Sequence, residues 1–185
     1  DILGQRTKTT DPLGNTTSYE CGPLGNVVRI IDPLQGITQR AFDALGRLTM
    51  ETDPEQRTTA YLYDGMNRLA GYRNPAGQEF RFTYDALGRR TSRTEPDGTS
   101  QSYQYDLAGR LLSRTKADGA IISYQYRVDG KLISHQWQDA PETKVSYQYD
   151  ELGRLTEIDT AQHKLSYSYD ALGNKISETQ HWKDL

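Results

Sequence analysis

Acidic side chains recur in this chain at positions that invite a catalytic reading. Asp43, Asp64, Asp85, Asp106 and Asp150 each stand three residues before a Gly or Asn and four before an Arg. Two carboxylates in unequal surroundings can work as general acid and general base. Here, though, nearly every Asp belongs to a regularly recurring column, which hairpin geometry explains without a catalytic dyad. His135, His163 and His181 are far apart and lack Cys or carboxylate partners at metal-ligand spacing, so they read as surface residues and no metal is expected. Cys21 has no nearby His to activate it as a nucleophile, and its place in a packed column predicts a packing role. Phosphate-binding, nucleophile-elbow and dinucleotide fingerprints are missing from the sequence, so neither cofactor nor enzymatic activity is expected. Tyr beside Arg can also stack on sugars or on single-stranded nucleic acid. Packing of the rings against neighbouring strands is the preferred reading, with carbohydrate as the alternative. Trp137 falls outside the tyrosine columns and is the candidate for an exposed contact.

Composition narrows the class. The 185 residues carry 22 basic and 25 acidic side chains, a net charge of −3 that argues against a nucleic-acid partner. No apolar run reaches the ~18 residues of a membrane-spanning helix. With one Cys there is no internal disulfide framework. Leu, Ile, Val and Phe together number only 34, too few for an ordinary core, yet the net charge is too small for a disordered chain. Tyr, at 13, and Gly, at 16, take up the difference.

Internal repetition accounts for this composition. The fourth residue of a D-x-x-G-like segment falls at Gly4, Gly25, Gly46, Asn67, Gly88, Gly109, Gly130, Gly153 and Gly173, a spacing of 21 six times, then 23, then 20. Twelve of the 13 Tyr lie six or four residues before these positions, as in Tyr61 and Tyr63 or Tyr147 and Tyr149. The Y-x-Y spacing puts both rings on one face of a strand, while the intervening Gln104, Gln125, Gln148 and Ser168 are polar. That pattern predicts half-buried antiparallel strands. About ten residues after each turn comes a second one with type I chemistry. Examples are Asp11-Pro12-Leu13-Gly14, Asn74-Pro75-Ala76-Gly77, Glu95-Pro96-Asp97-Gly98 and what reads as a lengthened Asp32-Pro33-Leu34-Gln35-Gly36.

Each repeat is therefore one β-hairpin of about 21 residues. Its turn is defined by Asp64, Asp85, Asp106 and Asp150 as acceptors and by Gly46, Gly88, Gly109 and Gly153 at a left-handed position, which Asn67 also tolerates. The Arg after the Gly is placed to pair with the Asp of its own turn. The fold class is all-β: about nine tandem hairpins over residues 1–185 and some eighteen strands, forming one long curved antiparallel ribbon ~80 Å long at ~4.8 Å per strand. The chain begins at Asp1 and reads as a fragment of something longer.

The motif Y-x-Y-D-x-x-G-R-L, seen in Tyr103-Gln104-Tyr105-Asp106-Leu107-Ala108-Gly109-Arg110-Leu111 and Tyr147-Gln148-Tyr149-Asp150-Glu151-Leu152-Gly153-Arg154-Leu155, resembles the YD repeat of the Rhs family. The resemblance covers nearly the whole chain. It implies a β-ribbon that spirals into a hollow shell. Bacterial members of the family enclose a C-terminal toxin, in insecticidal toxin complexes or in polymorphic toxins aimed at neighbouring cells, and the teneurin shell of animals, used in adhesion, is similar. By resemblance the chain is a segment of shell wall, secreted or exported to a bacterial cell surface. The implied partners are other segments of the shell or a second copy through edge strands, and an enclosed cargo. Departures are Cys21-Gly22 where Tyr-Asp is expected, Arg127 in place of the turn Asp, and altered spacing around Gly36, Gly130 and Gly173, where the register is expected to slip. The D-P-x-G-L core at which related shells cleave themselves is missing, since Asp11-Pro12-Leu13-Gly14 runs on into Asn15.

Overall fold

A computed structural model describes residues 4–183, so of the first turn expected at Asp1–Gly4 only Gly4 lies among the described residues. No helix occurs among them, and the all-β expectation holds. The chain divides into two compact units, one running through Thr83 together with Arg93–Gly98, the other containing Tyr84–Ser92 and everything from Thr99 onward.

The first unit is built on β1 (Lys8–Thr10), β2 (Thr16–Cys21), β3 (Val27–Ile31), β4 (Ile37–Phe42), β5 (Leu48–Thr52), β6 (Thr58–Tyr63), β7 (Leu69–Arg73) and β8 (Glu79–Tyr84). Next in sequence is β9 (Arg90–Thr94). The second unit continues with β10 (Ser100–Tyr105), β11 (Leu111–Thr115), β12 (Ile121–Tyr126), β13 (Leu132–Trp137), β14 (Ala140–Tyr149), β15 (Leu155–Asp159), β16 (His163–Tyr169) and β17 (Lys175–Trp182). From β1 to β8 and from β10 to β17, each strand pairs antiparallel with the next in sequence. Seventeen strands lie among the described residues, where about eighteen are expected.

The register carries out the two-residue periodicity. Across hairpins, Tyr61 faces Tyr72, Tyr124 faces His135 and Tyr147 faces Ile158 on one side of the sheet. The other side carries polar pairs, with Glu20 accepting from Arg29 at 2.7 Å, Ser134 donating to Gln125 at 3.0 Å and Gln148 donating to Glu157 at 3.0 Å, although Met50 and Leu62 lie exposed on it in the first unit. No apolar side chain among the described residues is fully buried. Each unit is a single antiparallel layer whose rings are half-covered by their neighbours. Tyr suits this arrangement, because its ring covers much area while its hydroxyl remains able to find a partner.

One irregularity repeats with the period. In every Tyr-side hairpin whose register is described, the ladder shifts beside the second column, for example between Leu62 and Tyr63, between Gln104 and Tyr105 and between Gln148 and Tyr149. The following strand places an extra residue there, a β-bulge next to a left-handed turn position.

The turns depart from expectation in one respect. Asp32-Pro33-Leu34-Gln35 is not lengthened. Gln35 itself takes the left-handed position at φ 67° and donates to the Asp32 carbonyl at 3.0 Å, while Asp32 N–H closes the loop on Gly36 O at 2.9 Å. Gln56 does the same at φ 62° in the turn opened by Asp53 and Pro54. The spacing around Gly36 is therefore regular, and β3 and β4 pair without slipping. The extra residues before Gly153 are taken up by a tight turn at Gln138-Asp139 and a ten-residue β14, with a register shift beside Trp137.

Asn67 holds φ 66°. Replacing it by Gly is expected to be neutral or stabilising by a few tenths of a kcal/mol. Replacing it by Val should cost about 1–2 kcal/mol, because a β-branched side chain resists that backbone. Urea unfolding midpoints of the two variants check both signs.

Candidate functional site

The turn is the smallest unit of the site. At Asp106 the backbone closes twice: Asp106 N–H donates to Arg110 O at 2.9 Å and Gly109 N–H donates to Asp106 O at 3.0 Å. The carboxylate then accepts from Arg110 N–H at 2.8 Å through Oδ1 and from Arg110 Nε at 2.6 Å through Oδ2. The same fork recurs at Asp43 with Arg47, Asp64 with Arg68, Asp85 with Arg89 and Asp150 with Arg154. The left-handed residues of these turns are Gly46 (φ 76°), Asn67 (66°), Gly88 (80°), Gly109 (84°) and Gly153 (77°).

The arginine does more than close its own turn. Nη1 of Arg110 reaches forward to Arg127 O at 2.9 Å, Nη1 of Arg89 to Asp106 O at 2.6 Å and Nη1 of Arg154 to Asp170 O at 3.0 Å. Arg47 reaches the Asn67 side chain at 2.8 Å. On the way each guanidinium lies over a tyrosine of the next repeat: Arg47 over Tyr63 at 4.6 Å, Arg89 over Tyr105 at 4.9 Å, Arg110 over Tyr126 at 5.1 Å and Arg154 over Tyr169 at 4.8 Å. Those tyrosines answer in the opposite direction. The hydroxyls of Tyr63, Tyr105, Tyr126 and Tyr149 each donate at 2.9 Å to the carbonyls of Leu48, Arg90, Leu111 and Leu132, and Tyr169 donates to Leu155 at 2.7 Å. Each acceptor opens the preceding strand, beside its bulge. The result is a ladder along one edge of each unit, in which a repeat grips the next by an Arg and is gripped back by a Tyr.

The departure at Arg127 keeps the ladder. Arg127 opens its turn with the usual backbone closure, and Asp129 supplies the carboxylate from the third position, hydrogen-bonded by Arg127. That hydrogen bond first, with lesser help from Lys131, holds the Asp129 carboxyl down to about 2. Lys131 lies over the Tyr149 ring at 5.4 Å, in the place of the usual Arg.

Hydrogen bonds also set the charge state of the turns. In Asp43, Asp64, Asp106 and Asp150 the carboxyl pKa lies below its ordinary value, chiefly because the backbone N–H four residues on donates to it and then because of the guanidinium. A depressed folded-state pKa adds stability above the unfolded value, near 3.8, and that stability is lost as the pH falls through the folded value. The melting temperature should therefore be flat from neutral pH to about pH 5 and fall below about pH 4. Circular dichroism melts across that range check it, and an unchanged midpoint at the acid end would contradict it.

Other residues singled out from the sequence are placed as follows. Trp137, expected as an exposed contact, is half-buried with the Lys116 ammonium 5.3 Å from its ring centre, and the exposed tryptophan is Trp182 at 74%. His135 is not a surface residue: it sits half-buried between Tyr124 and Tyr147, at 6.1 and 5.9 Å between rings, and shares a 3.3 Å hydrogen bond with the Tyr147 hydroxyl. His163 is half-buried against Trp182 at 5.5 Å, whereas His181 is exposed. Cys21 is half-buried and unbridged, across the sheet from Val27. Among the described residues no group of three or more His, Cys, Asp or Glu is arranged to hold a metal ion. A cleft of about 470 Å³ is lined by Glu142–Val145 and Thr160–His163; within it the Thr160 hydroxyl lies 3.2 Å from His163 Nδ1 and donates to the His163 carbonyl at 2.9 Å, so the pair belongs to the turn between β15 and β16. No helix among the described residues is long and apolar enough to cross a membrane.

Two features escape sequence reasoning: the forward reach of Arg and the backward hydrogen bond of Tyr. The available signal is a constant offset between the two columns, as in Arg47 and Tyr63, Arg89 and Tyr105, and Arg110 and Tyr126.

No curated protein sequence matches the chain. Among solved structures, the fold is similar to the TcdB2-TccC3 crystal structure, with a TM-score of 0.78 at 17% identity over 97% of this chain and 11% of that one. It is also similar to a chain of the Photorhabdus luminescens Tc holotoxin pore, with a TM-score of 0.74 at 18% identity over 91% of this chain and 11% of that one. The chain thus spans about a tenth of the length of either. The RHS repeat family model matches residues 3–37 and the Teneurin YD-shell model residues 26–184. By that match, and by the Tyr–Arg–Asp ladder it covers, the chain belongs to the teneurin YD-shell family, a family of Rhs-type repeats.

Proposed function

We propose that the chain, as about nine tandem hairpin repeats, is a non-enzymatic segment of shell wall that helps to enclose a toxin or other cargo domain of a secreted or surface-exported bacterial protein. The observation that carries this reading is the single-layered sheet without a buried apolar side chain among its described residues, stitched lengthwise by a ladder on one edge. A globular enzyme or a compact binding domain needs a core. A wall needs continuity along the ribbon and two accessible faces. The toxin-complex proteins that share the fold support the reading by analogy of architecture. Terminal strands also fit it: β17 pairs with β16 alone among the described strands, and its eight residues are all exposed, which suits continuation by further repeats.

The alternative, a carbohydrate surface made of the tyrosine columns, has less support from the second column than from the first. Guanidinium groups of Arg47, Arg89, Arg110 and Arg154 already lie over ring faces, and the second-column hydroxyls are spent on backbone carbonyls.

The test is protease protection in the full-length protein that carries this segment. The enclosed domain should resist proteolysis and become cleavable when Leu111→Pro and Leu132→Pro open the ribbon. Equal cleavage of the intact and opened proteins would contradict enclosure. A glycan array that bound the chain, with Trp137→Ala as control, would restore the alternative.

A further inference from the structure

One turn of the first unit lacks every polar part of the ladder. Gly22 stands where the other turns have Asp, and Asn26 where they have Arg. Phe42 follows Asn26 by sixteen residues, the offset at which Tyr63 follows Arg47 and Tyr126 follows Arg110. Turn carboxylate, guanidinium and ring hydroxyl are thus all missing from a single rung.

The chain does not make good the loss from within. Asn26 Nδ2 comes up to the next turn, 3.4 Å from where a Cβ on Gly46 would stand. Its amide carries no charge, and it makes no hydrogen bond among the described residues. A Cβ on Gly22 would fall 2.9 Å from Val28 Cγ1, so Val28 crowds the place from which a carboxylate would branch. What remains is a pocket of about 240 Å³ bordered by Gly22, Asn26, Val28, Arg40, Phe42 and Asp43. Pockets for drug-sized ligands begin at about 300 Å³, so this one suits a single side chain.

The complete rungs show what such a place takes. There the guanidinium lies over the ring and ends on the carbonyl that opens the next turn, as Arg89 does on Asp106 O, Arg110 on Arg127 O and Arg154 on Asp170 O. Each of those carbonyls also accepts from the Gly N–H of its own turn. Asp43 O is the corresponding acceptor, and among the described residues it receives only Gly46 N–H, at 2.9 Å. The Phe42 ring offers a cation the same kind of face as a tyrosine ring, and it is half-buried. Val28 gives an apolar wall for the methylene stem of an arginine.

The charges at the rim are already balanced. Arg40 Nε donates to Glu51 at 2.7 Å, and Asp43 is paired with Arg47 at 2.7 Å. Only the ring and the carbonyl draw a guanidinium in, so binding is weak, roughly millimolar.

We propose that this pocket takes the arginine side chain of a polypeptide segment from outside these hairpins, its guanidinium stacked on Phe42 and donating to Asp43 O. The site requires neither cargo nor the shell reading.

Two-dimensional NMR of the intact chain, titrated with acetyl-arginine methylamide, tests it. The backbone amides of Gly22, Asn26 and Asp43 should shift saturably. Acetyl-citrulline methylamide, the neutral isostere, should leave them in place at the same concentrations. Asn26→Arg fills the pocket from within, so it should abolish the response and raise the melting temperature. Phe42→Leu removes the ring face while keeping an apolar wall, and it should weaken binding at least about tenfold. The spectra themselves report whether each variant is folded. A wild type without saturable shifts at these amides would overturn the proposal. So would equal shifts from the citrulline compound, or a response that survives Asn26→Arg.

Discussion

Replacing Gly71 by alanine is expected to destabilise the first unit by about 2–3 kcal/mol, a large effect for one added methyl group. Gly71 lies in the middle of β7, opposite Leu62 on one side and Arg81 on the other. A Cβ placed there would fall 2.3 Å from the Phe80 carbonyl oxygen and 3.4 Å from the Arg81 Cα. Both obstacles are backbone, so relief requires shifting β8 away from β7 and breaking the ladder between them. In a repeat protein each hairpin leans only on its neighbours, so the damage should be local. Hydrogen exchange is expected to accelerate in β7 and β8 before it does in β2 and β3. Gly65→Ala is the matched control, since it sits at a turn tip and an added methyl group would meet nothing within 4 Å. Urea unfolding of the two variants should separate them clearly, and a Gly71→Ala protein as stable as Gly65→Ala would refute the close approach.

The second large effect comes from the tyrosine hydroxyls. Tyr126, Tyr149 and Tyr169 donate to the carbonyls of Leu111, Leu132 and Leu155 at 2.9, 2.9 and 2.7 Å, beside bulges that disturb the strand ladder. Each Tyr→Phe change retains the ring but leaves a part-buried carbonyl without that donor, which costs about 1 kcal/mol. The three sites lie in successive repeats, so their costs should nearly add, to about 3 kcal/mol for the triple variant. Tyr103→Phe is the control: its hydroxyl reaches Gln101 only at 3.5 Å, and its removal should be close to neutral. A triple variant within about 0.5 kcal/mol of wild type would show that the rings alone hold the repeats.

Both effects rest on contacts of unequal visibility in the sequence. The strands, their facing columns and the Tyr-side turns are legible because each follows from a strict spacing and a residue with local chemistry, such as Asp106 accepting from its own loop or Asn67 tolerating a positive φ. Gln35 and Gln56 are not, because Gln has no left-handed preference, and only the 21-residue clock running from Gly14 through Gly77 marks their places. The coupling of Arg110 to Arg127 O and of Tyr126 to Leu111 O is also hidden. Both contacts depend on how one hairpin is staggered against the next, and that stagger is set by the bulges. The half-buried place of His135 is concealed for a related reason. It lies outside the tyrosine columns in sequence, but the register of β12 with β13 sets it opposite Tyr124. Trp137 departs from its expected exposure through the register shift between β13 and β14, which tucks it under Lys116.

The same features bear on function. A ladder that repeats from hairpin to hairpin can be extended by further repeats of the same kind. The weak, regular contacts of such a ladder hold a long wall without fixing what lies on either side of it. The measurement that tests this most directly is a cryo-electron microscopy map of the full-length protein that carries residues 1–185. The expected map shows this ribbon within the wall of a closed cavity, with density for another domain inside. A map in which the ribbon stands free as an exposed arm, bounding no cavity, would contradict a role in enclosure.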